Sequence, residues 1–212
     1  MYYYIFGVPL VGLLLWTIGS YAIVWSVEKP VYKVLSVRDG YEIREYAAYI
    51  KAETVVTGTY DEATSQGFRV IADYIFGNNV TKEKVSMTSP VLESPAPGVS
   101  EKIAMTSPVL ETSIGNATRT IAFILPAKYT LATLPQPNNT AVTLTAVPVR
   151  KVAALTFTWY PTAARVETKK ILLQSYLARD GQIIVGANET ARYNPPLSMP
   201  LTLRNEILIP IQ

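Results

Sequence analysis

Any chemistry in this chain must proceed without imidazole or thiolate, because the sequence contains no His and no Cys. That excludes Cys/His zinc centres, Ser-His-Asp and Cys-His nucleophile pairs, structural disulfides and imidazole or thiolate ligation of iron. Carboxylates, Lys, Tyr, Ser/Thr and Met remain. The carboxylates Asp61, Glu62 and Asp73 fall on or beside one amphipathic segment. Asp61 and Glu62 serve equally well there as first-turn partners of a helix dipole. No spacing singles out a Ser-Lys or Tyr-Lys pair, and there is no Gly-rich phosphate loop or EF-hand pattern. Nothing in these residues argues for an enzyme. Nor do they form a nucleic-acid footprint, since 19 basic and 16 acidic residues leave a net charge of only +3 with no Lys/Arg run.

The elements that must position these groups are legible from residue 31 onward. Residues 31–57 alternate in short bursts around the Asp39-Gly40 turn, which reads as three strands. Thr59 and Glu62 stand in capping-box spacing before Phe68, Ile71 and Ile75, with Gly77 placed to terminate; the pattern predicts a helix over about 60–76. A second round follows, with strand-like stretches near 84–92, 103–110, 119–125 and 142–158. A helix over 162–179 comes next, with Ala163, Val166, Leu173 and Leu177 inward and Lys170 interrupting. Final strands are expected at 183–186, near Arg192-Tyr193 and at 206–211, where Pro210 suits an edge position. Pro-containing loops bring no composition break large enough for a domain linker, so the fold class is α+β: one antiparallel sheet, curled or closed, with two helices on it.

The mean hydropathy is +0.19, and its apolar surplus sits in residues 2–27, a run of 26 uncharged residues. That exceeds the roughly 20 residues needed to cross a bilayer core. Aromatic residues gather at both ends, there is no basic n-region, and no A-x-A-like site precedes Glu28. The expectation is an N-terminal transmembrane anchor over 1–27, a lipid-bilayer contact through 2–27, and a single domain over 28–212 in a single-pass membrane protein. Lys29, Lys33, Arg38 and Arg44 after the segment favour a cytoplasmic domain. Sequons at Asn79, Asn116, Asn138 and Asn188 would suit an exported one, although a Thr-rich chain produces them by accident. The side of the membrane stays open.

An internal near-repeat is the most distinctive feature, KEKVSMTSPVLES at 82–94 and SEKIAMTSPVLET at 100–112, offset by 18 residues. It reads structurally as two similar strands joined by the Pro95–Gly98 loop. Functionally it reads as paired lips around a ligand, with Met87 and Met105 as soft apolar contacts.

Four stretches in order, YEIREYAAYIKAETVVTGTYDEATSQGFRVIADYIFGNN (41–79), EKIAMTSPV (101–109), LPAKYTLATLPQPNN (125–139) and ARYNPPLSMPLTLRNEILIPI (191–211), resemble the SOUL haem-binding family. The resemblance implies duplicated β-α-β-β halves, with two helices against a distorted barrel of eight to nine strands. It also implies binding of haem or a related tetrapyrrole in an exposed apolar groove beside the first helix and the loop ahead of the last strand. Carried over by position, the groove residues are Ser65, Phe68, Arg69 and Ala72 on the helix, and Leu197 and Met199 in the loop. Where some relatives carry basic side chains suited to the haem carboxylates, this chain has Ser65, Asp73 and Ser198. Arg69, Arg192 and Arg204 are the alternatives. A His ligand proposed in some members has no counterpart, leaving Met87, Met105, Met199, a Tyr or no protein ligand. Tyr193, Pro195, Pro196 and Arg204-Asn205-Glu206 read as turn and strand-start structure. The function this implies is non-enzymatic tetrapyrrole binding, the other reading being a small-effector or protein-interaction module on the same barrel.

Overall fold

A computed structural model describes residues 16–17, 27–81, 100–115, 117–195 and 198–212. Three strands open the domain: β1 (Tyr32–Arg38), β2 (Tyr41–Tyr46) and β3 (Tyr49–Thr57). The β1–β2 turn uses Gly40 at φ +94°, where a side chain would be strained and its Cβ would also strike the Tyr176 ring at 2.3 Å. Helix α1 (Tyr60–Ile75) begins with the full capping box, Glu62 N–H donating to Thr59 Oγ1 and Thr59 N–H donating to Glu62 Oε2. The short β4 (Asn79–Val80) follows. Then come β5 (Val109–Ser113), β6 (Thr118–Ile124), a short β7 (Gln136–Pro137) paired with β4, β8 (Thr143–Val147) and β9 (Arg150–Phe157). Helix α2 (Ala163–Arg179), β10 (Glu189–Arg192), a 3-10 turn at Pro200–Thr202 and β11 (Asn205–Pro210) complete the chain.

Among the described residues the main sheet has nine strands, all antiparallel, in the order β1-β2-β9-β11-β10-β5-β6-β3-β8. The order is symmetric about the β5–β10 seam. On one side β3-α1-β5-β6 repeats the strand-helix-strand-strand course that β9-α2-β10-β11 follows on the other. The strand before each unit crosses over: β2 pairs with β9, and β8 with β3. Because β1 and β8 end the order unpaired with each other, the sheet is a curled half-barrel and not the closed barrel the sequence left open.

One face carries the helices. Ile71, Tyr74 and Ile75 of α1 pack with Ala52, Ile121 and Phe123 of β3 and β6, while Leu173 and Leu177 of α2 pack with Ala153, Leu155 and Ile207 of β9 and β11. Among the described residues no helix of the domain packs on the other face, yet Tyr46, Leu110, Ile124, Val152, Ala191 and Tyr193 on it are buried. The sheet hides that face by curling over it. A polar knot lies within. Glu206, 0% exposed, accepts from Arg44 Nη1 at 2.9 Å, Tyr193 Oη at 2.7 Å and Arg204 Nη2 at 2.7 Å. Arg44 sits over the Tyr32 ring at 4.6 Å and Arg204 over Tyr193 at 4.4 Å. Burial pushes the Glu206 carboxyl up, but the bonds and charges of Arg44 and Arg204 outweigh it and hold the group below its usual range.

Several expectations change. The strand expected over 103–110 starts only at Val109, because Pro108 has no N–H to enter a ladder and Ile103 N–H is spent on Ile75 C=O. The stretch 142–158 is two strands that break at Pro148-Val149. Residues 183–186 make only an isolated bridge, Ile184 to Ile211. Ala163 is exposed. Pro210 is on a central strand, tolerated because β10 ends its pairing at Leu208 and leaves no partner for the missing N–H. The first repeat copy at 82–94, Met87 included, lies outside the described residues. The second supplies the bridge of Thr106 to Glu28 and runs on into β5.

Single-pass membrane localisation is also corrected: among the described residues no helix is long and apolar enough to cross a membrane. Helices α1 and α2 have 16 and 17 residues and carry charged side chains throughout, short of the roughly 20 apolar residues a crossing needs. The stretch 2–27 lies outside the described residues apart from Trp16, Thr17 and Val27.

Two predictions follow from this packing. Gly67 brings α1 against β6 so closely that an added Cβ would meet Ile121 side-chain atoms at 2.4 and 2.6 Å. Gly67→Ala should therefore destabilise by about 1–3 kcal/mol in urea unfolding, although Ala is the better helix former. Arg44→Met leaves Glu206 with Arg204 and Tyr193 but without its fully buried cation, and should cost about 1.5–3 kcal/mol, the worth of a buried hydrogen bond to a charged group. Because the folded pKa of Glu206 is depressed, its contribution is present above about pH 4.3 and is lost as pH falls through the folded value; an acid titration of the unfolding midpoint checks this.

Candidate functional site

The outer stripe of α1 reads Asp61, Thr64, Ser65, Phe68 and Arg69, the i, i+3, i+4, i+7, i+8 positions that share one side of a helix. Opposite it, the β5–β10 ladder pairs Val109 with Arg192. Between them lies a groove of about 410 Å³ lined by these residues and Asn194. Phe68 is half-buried, its ring 5.2 Å from Phe123 at a tilt of 57°, so one side of the ring packs on the core.

Arg192 ties the groove wall to a fixed polar cluster. Glu111, 3% exposed, receives Arg119 Nη1 on Oε1 at 3.0 Å and Arg192 Nη2 on Oε2 at 2.7 Å. Both guanidiniums also lie near the Tyr60 ring, at 4.9 and 5.1 Å. Tyr60 Oη accepts from Arg192 Nη2 at 2.6 Å and donates to Pro161 C=O at 2.7 Å. Burial pushes the Tyr60 phenol up to about 12, against the opposing pull of Arg192, so it stays protonated as that donor. One carboxylate between two guanidiniums leaves this cluster net positive. Arg192 Nε, like Arg119 Nε and Arg150 Nε, is buried without a hydrogen-bond partner among the described residues. A second hollow of about 250 Å³, lined by Tyr160, Pro161, Thr162, Pro195, Leu203 and Asn205, adjoins the groove through the shared Asp61, Arg192 and Asn194.

Of the residues carried over by position, Ser65, Phe68 and Arg69 come together in the groove. Ala72 does not line it; it is 8% exposed and turned to the protein body. Met199 stands at the start of the 3-10 turn, its Sδ accepting from Thr17 Oγ1 at 3.0 Å, and does not line the groove. Leu197 lies outside the described residues. Of the three alternative arginines, Arg192 joins Arg69 in the groove wall, whereas Arg204 turns to Glu206 and Tyr32 inside the sheet. Asp73 hydrogen-bonds Asn78 and does not line the groove, while Ser198 is buried. Sequence reasoning had not nominated Thr64, Val109, Asn194 or Glu111. Thr64 was available from helical spacing; the others depend on strand register and have no local signal.

An apolar wall of Phe68 and Val109, with Arg69 and Arg192 against the single carboxylate of Asp61, fits a planar apolar group. Among the described residues no group of three or more His, Cys, Asp or Glu could hold a metal ion.

The chain has no match among curated proteins. It is similar in fold to the EcmrR C-terminal domain, at TM-score 0.57 and 8% identity, covering 86% of this chain and 98% of that one. A hydrolase from Listeria innocua matches at TM-score 0.52 and 10% identity, covering 84% and 94%. EcmrR in a DNA complex matches at TM-score 0.53 and 8% identity, covering 97% and 67%. Identities this low show a shared fold alone. Residues 27–210 match the SOUL heme-binding protein family, and with most of its length inside that match the chain belongs to this family.

Proposed function

We propose that the groove between α1 and the β5–β10 seam binds haem or a related tetrapyrrole without catalysing a reaction. The observation that carries this reading is Phe68, backed by Phe123, with its remaining surface in a groove of about 410 Å³ in a chain of a haem-binding family. Planar contact with Phe68 and Val109 supplies most of the affinity. Iron receives no His or Cys, because the chain has none. Tyr60 is no ligand either, its oxygen being committed to Arg192 and Pro161. Membership of a heme-binding family is what supports a binding role.

The second reading, a small-effector or protein-interaction module, draws on the fold shared with the EcmrR C-terminal domain. Arg69 and Arg192 in the wall, against the lone carboxylate of Asp61, disfavour apolar cations as occupants.

Haemin titrated into the full chain should give a saturable Soret change. Phe68→Asp should weaken it by about tenfold or more, the worth of a lost aromatic contact. Ser65→Trp, on an exposed helix turn, should block the groove while leaving the thermal midpoint in place. A flat titration at micromolar protein, or displacement of haemin by a hydrophobic phosphonium cation at equal concentration, overturns the reading.

A further inference from the structure

Two free edges end the sheet, and they are built differently. β1 carries exposed Lys33 and Arg38 and breaks register between Val34 and Ser36, and such charges and bulges keep an edge from pairing with another chain. β8 has neither. Its Thr-Leu-Thr-Ala-Val stretch holds no charge and no Pro, and its five pairs with β3 run unbroken from Thr143 opposite Glu53 to Val147 opposite Tyr49. The direction of its free backbone groups follows from β3. Ile50 C=O accepts from Leu125 N–H on the β6 side, and backbone groups of successive residues in an antiparallel ladder alternate in direction. Tyr49, Lys51 and Glu53 therefore address β8, through Val147, Thr145 and Thr143. Leu144 and Ala146 are left pointing away from the sheet, and among the described residues no backbone hydrogen bond reaches them from that side.

An edge with this spacing is complementary to itself. A second copy laid antiparallel about a twofold axis at Thr145 sets Leu144 opposite Ala146 of the other copy, twice over. Outward N–H groups then meet outward C=O groups, and a large side chain faces a small one on the helix side. The ladder also has built-in ends: Val142 N–H is spent on Asn139 C=O, and Pro148, which stands opposite it in this register, has no N–H. On the other face Thr145, its hydroxyl donating to Glu53, meets its own counterpart. Lys51 pairs with the same Glu53 at 2.7 Å, which neutralises the charge beside the seam. Self-pairing of β1, by contrast, crowds Lys33 and Arg38 of both copies along one edge.

We infer that two copies of this chain associate through β8, the strands pairing antiparallel about Thr145 to join two half-barrels edge to edge. No residue of β8 lines the groove beside α1, so the association leaves that groove open in each copy and is independent of what it binds.

The chain has no Cys, so one introduced thiol reports on one position. Across a non-hydrogen-bonded antiparallel pair the Cα atoms stand about 4.5 Å apart, within reach of a disulfide. Under mild oxidation the full chain carrying Thr145→Cys should form a covalent dimer about tenfold or more faster than one carrying Thr143→Cys, which faces Val147 of the second copy instead. Sedimentation equilibrium of the unaltered chain at micromolar concentration should give twice the 23.4 kDa of one chain. Ala146→Pro removes an outward N–H that serves no bond within the sheet, and should return the mass to that of one chain with the melting point unchanged. The cross-linking comparison stands even if Ala146→Pro unfolds. Equal rates for the two thiols overturn the inference, as does faster cross-linking of Val37→Cys on β1. So does a single-chain mass for the unaltered protein, a doubled mass that survives folded Ala146→Pro, or a mass beyond two chains, which β8-to-β1 contacts would build.

Discussion

A carboxylate with no access to water governs the arrangement of this sheet. Glu206 sits at 0% exposure on β11, a central strand, on the face opposite α1 and α2. A buried charge is tolerable only with partners and hydrogen bonds in place. Arg44 from β2 and Arg204 and Tyr193 from the β10–β11 connection supply them. These groups meet only if β2 is carried across to pair with β9, beside β11. The crossover of β2 and the curl of the sheet thus belong to one solution: the inner face must close on itself to exclude water, and its charges must then find each other.

The same Glu-Arg-Tyr vocabulary recurs where polar groups are buried. Arg150 reaches Glu189 and the Tyr49 hydroxyl, and Arg119 and Arg192 share Glu111 beside Tyr60. A guanidinium suits the task because it stays charged, spreads its donors in a plane and lies over aromatic rings at little desolvation cost. The Glu111 group differs in one respect: it faces the helix side, under the first turn of α1, where the seam leaves a groove. There two guanidiniums hold one buried carboxylate, as Arg44 and Arg204 hold Glu206, but beside an open space.

Local elements were well marked in the sequence. The Thr59/Glu62 capping box, the spacing of Phe68, Ile71 and Ile75 and the Asp39-Gly40 turn describe interactions between residues a few positions apart, and they place α1 and the first hairpin within a residue or two. Where the reading failed, a distant partner decided. Pro210 reads as an edge residue because nothing local reveals that β9 and β10 flank β11. Residues 103–107 read as strand from their neighbours, yet their backbone bonds go to Ile75 and Glu28. Ala72 shares a helix with Phe68 and Ser65, but it falls on the side that packs against the body.

The sequence by itself determined the chemical alphabet and the family: with no His or Cys, any buried ion pair or ligand recognition draws on Arg, Lys, Tyr, carboxylates, Ser/Thr, Asn or Met, and the ordered motifs of residues 41–211 carry the SOUL likeness. Only the tertiary structure decided which arginine faces the groove. Arg192 and Glu111 lie 81 residues apart and meet because β5 and β10 pair in one register, setting Val109 opposite Arg192. Side chains alternate along a strand, so a shift of one residue would turn Arg192 to the inner face and away from α1.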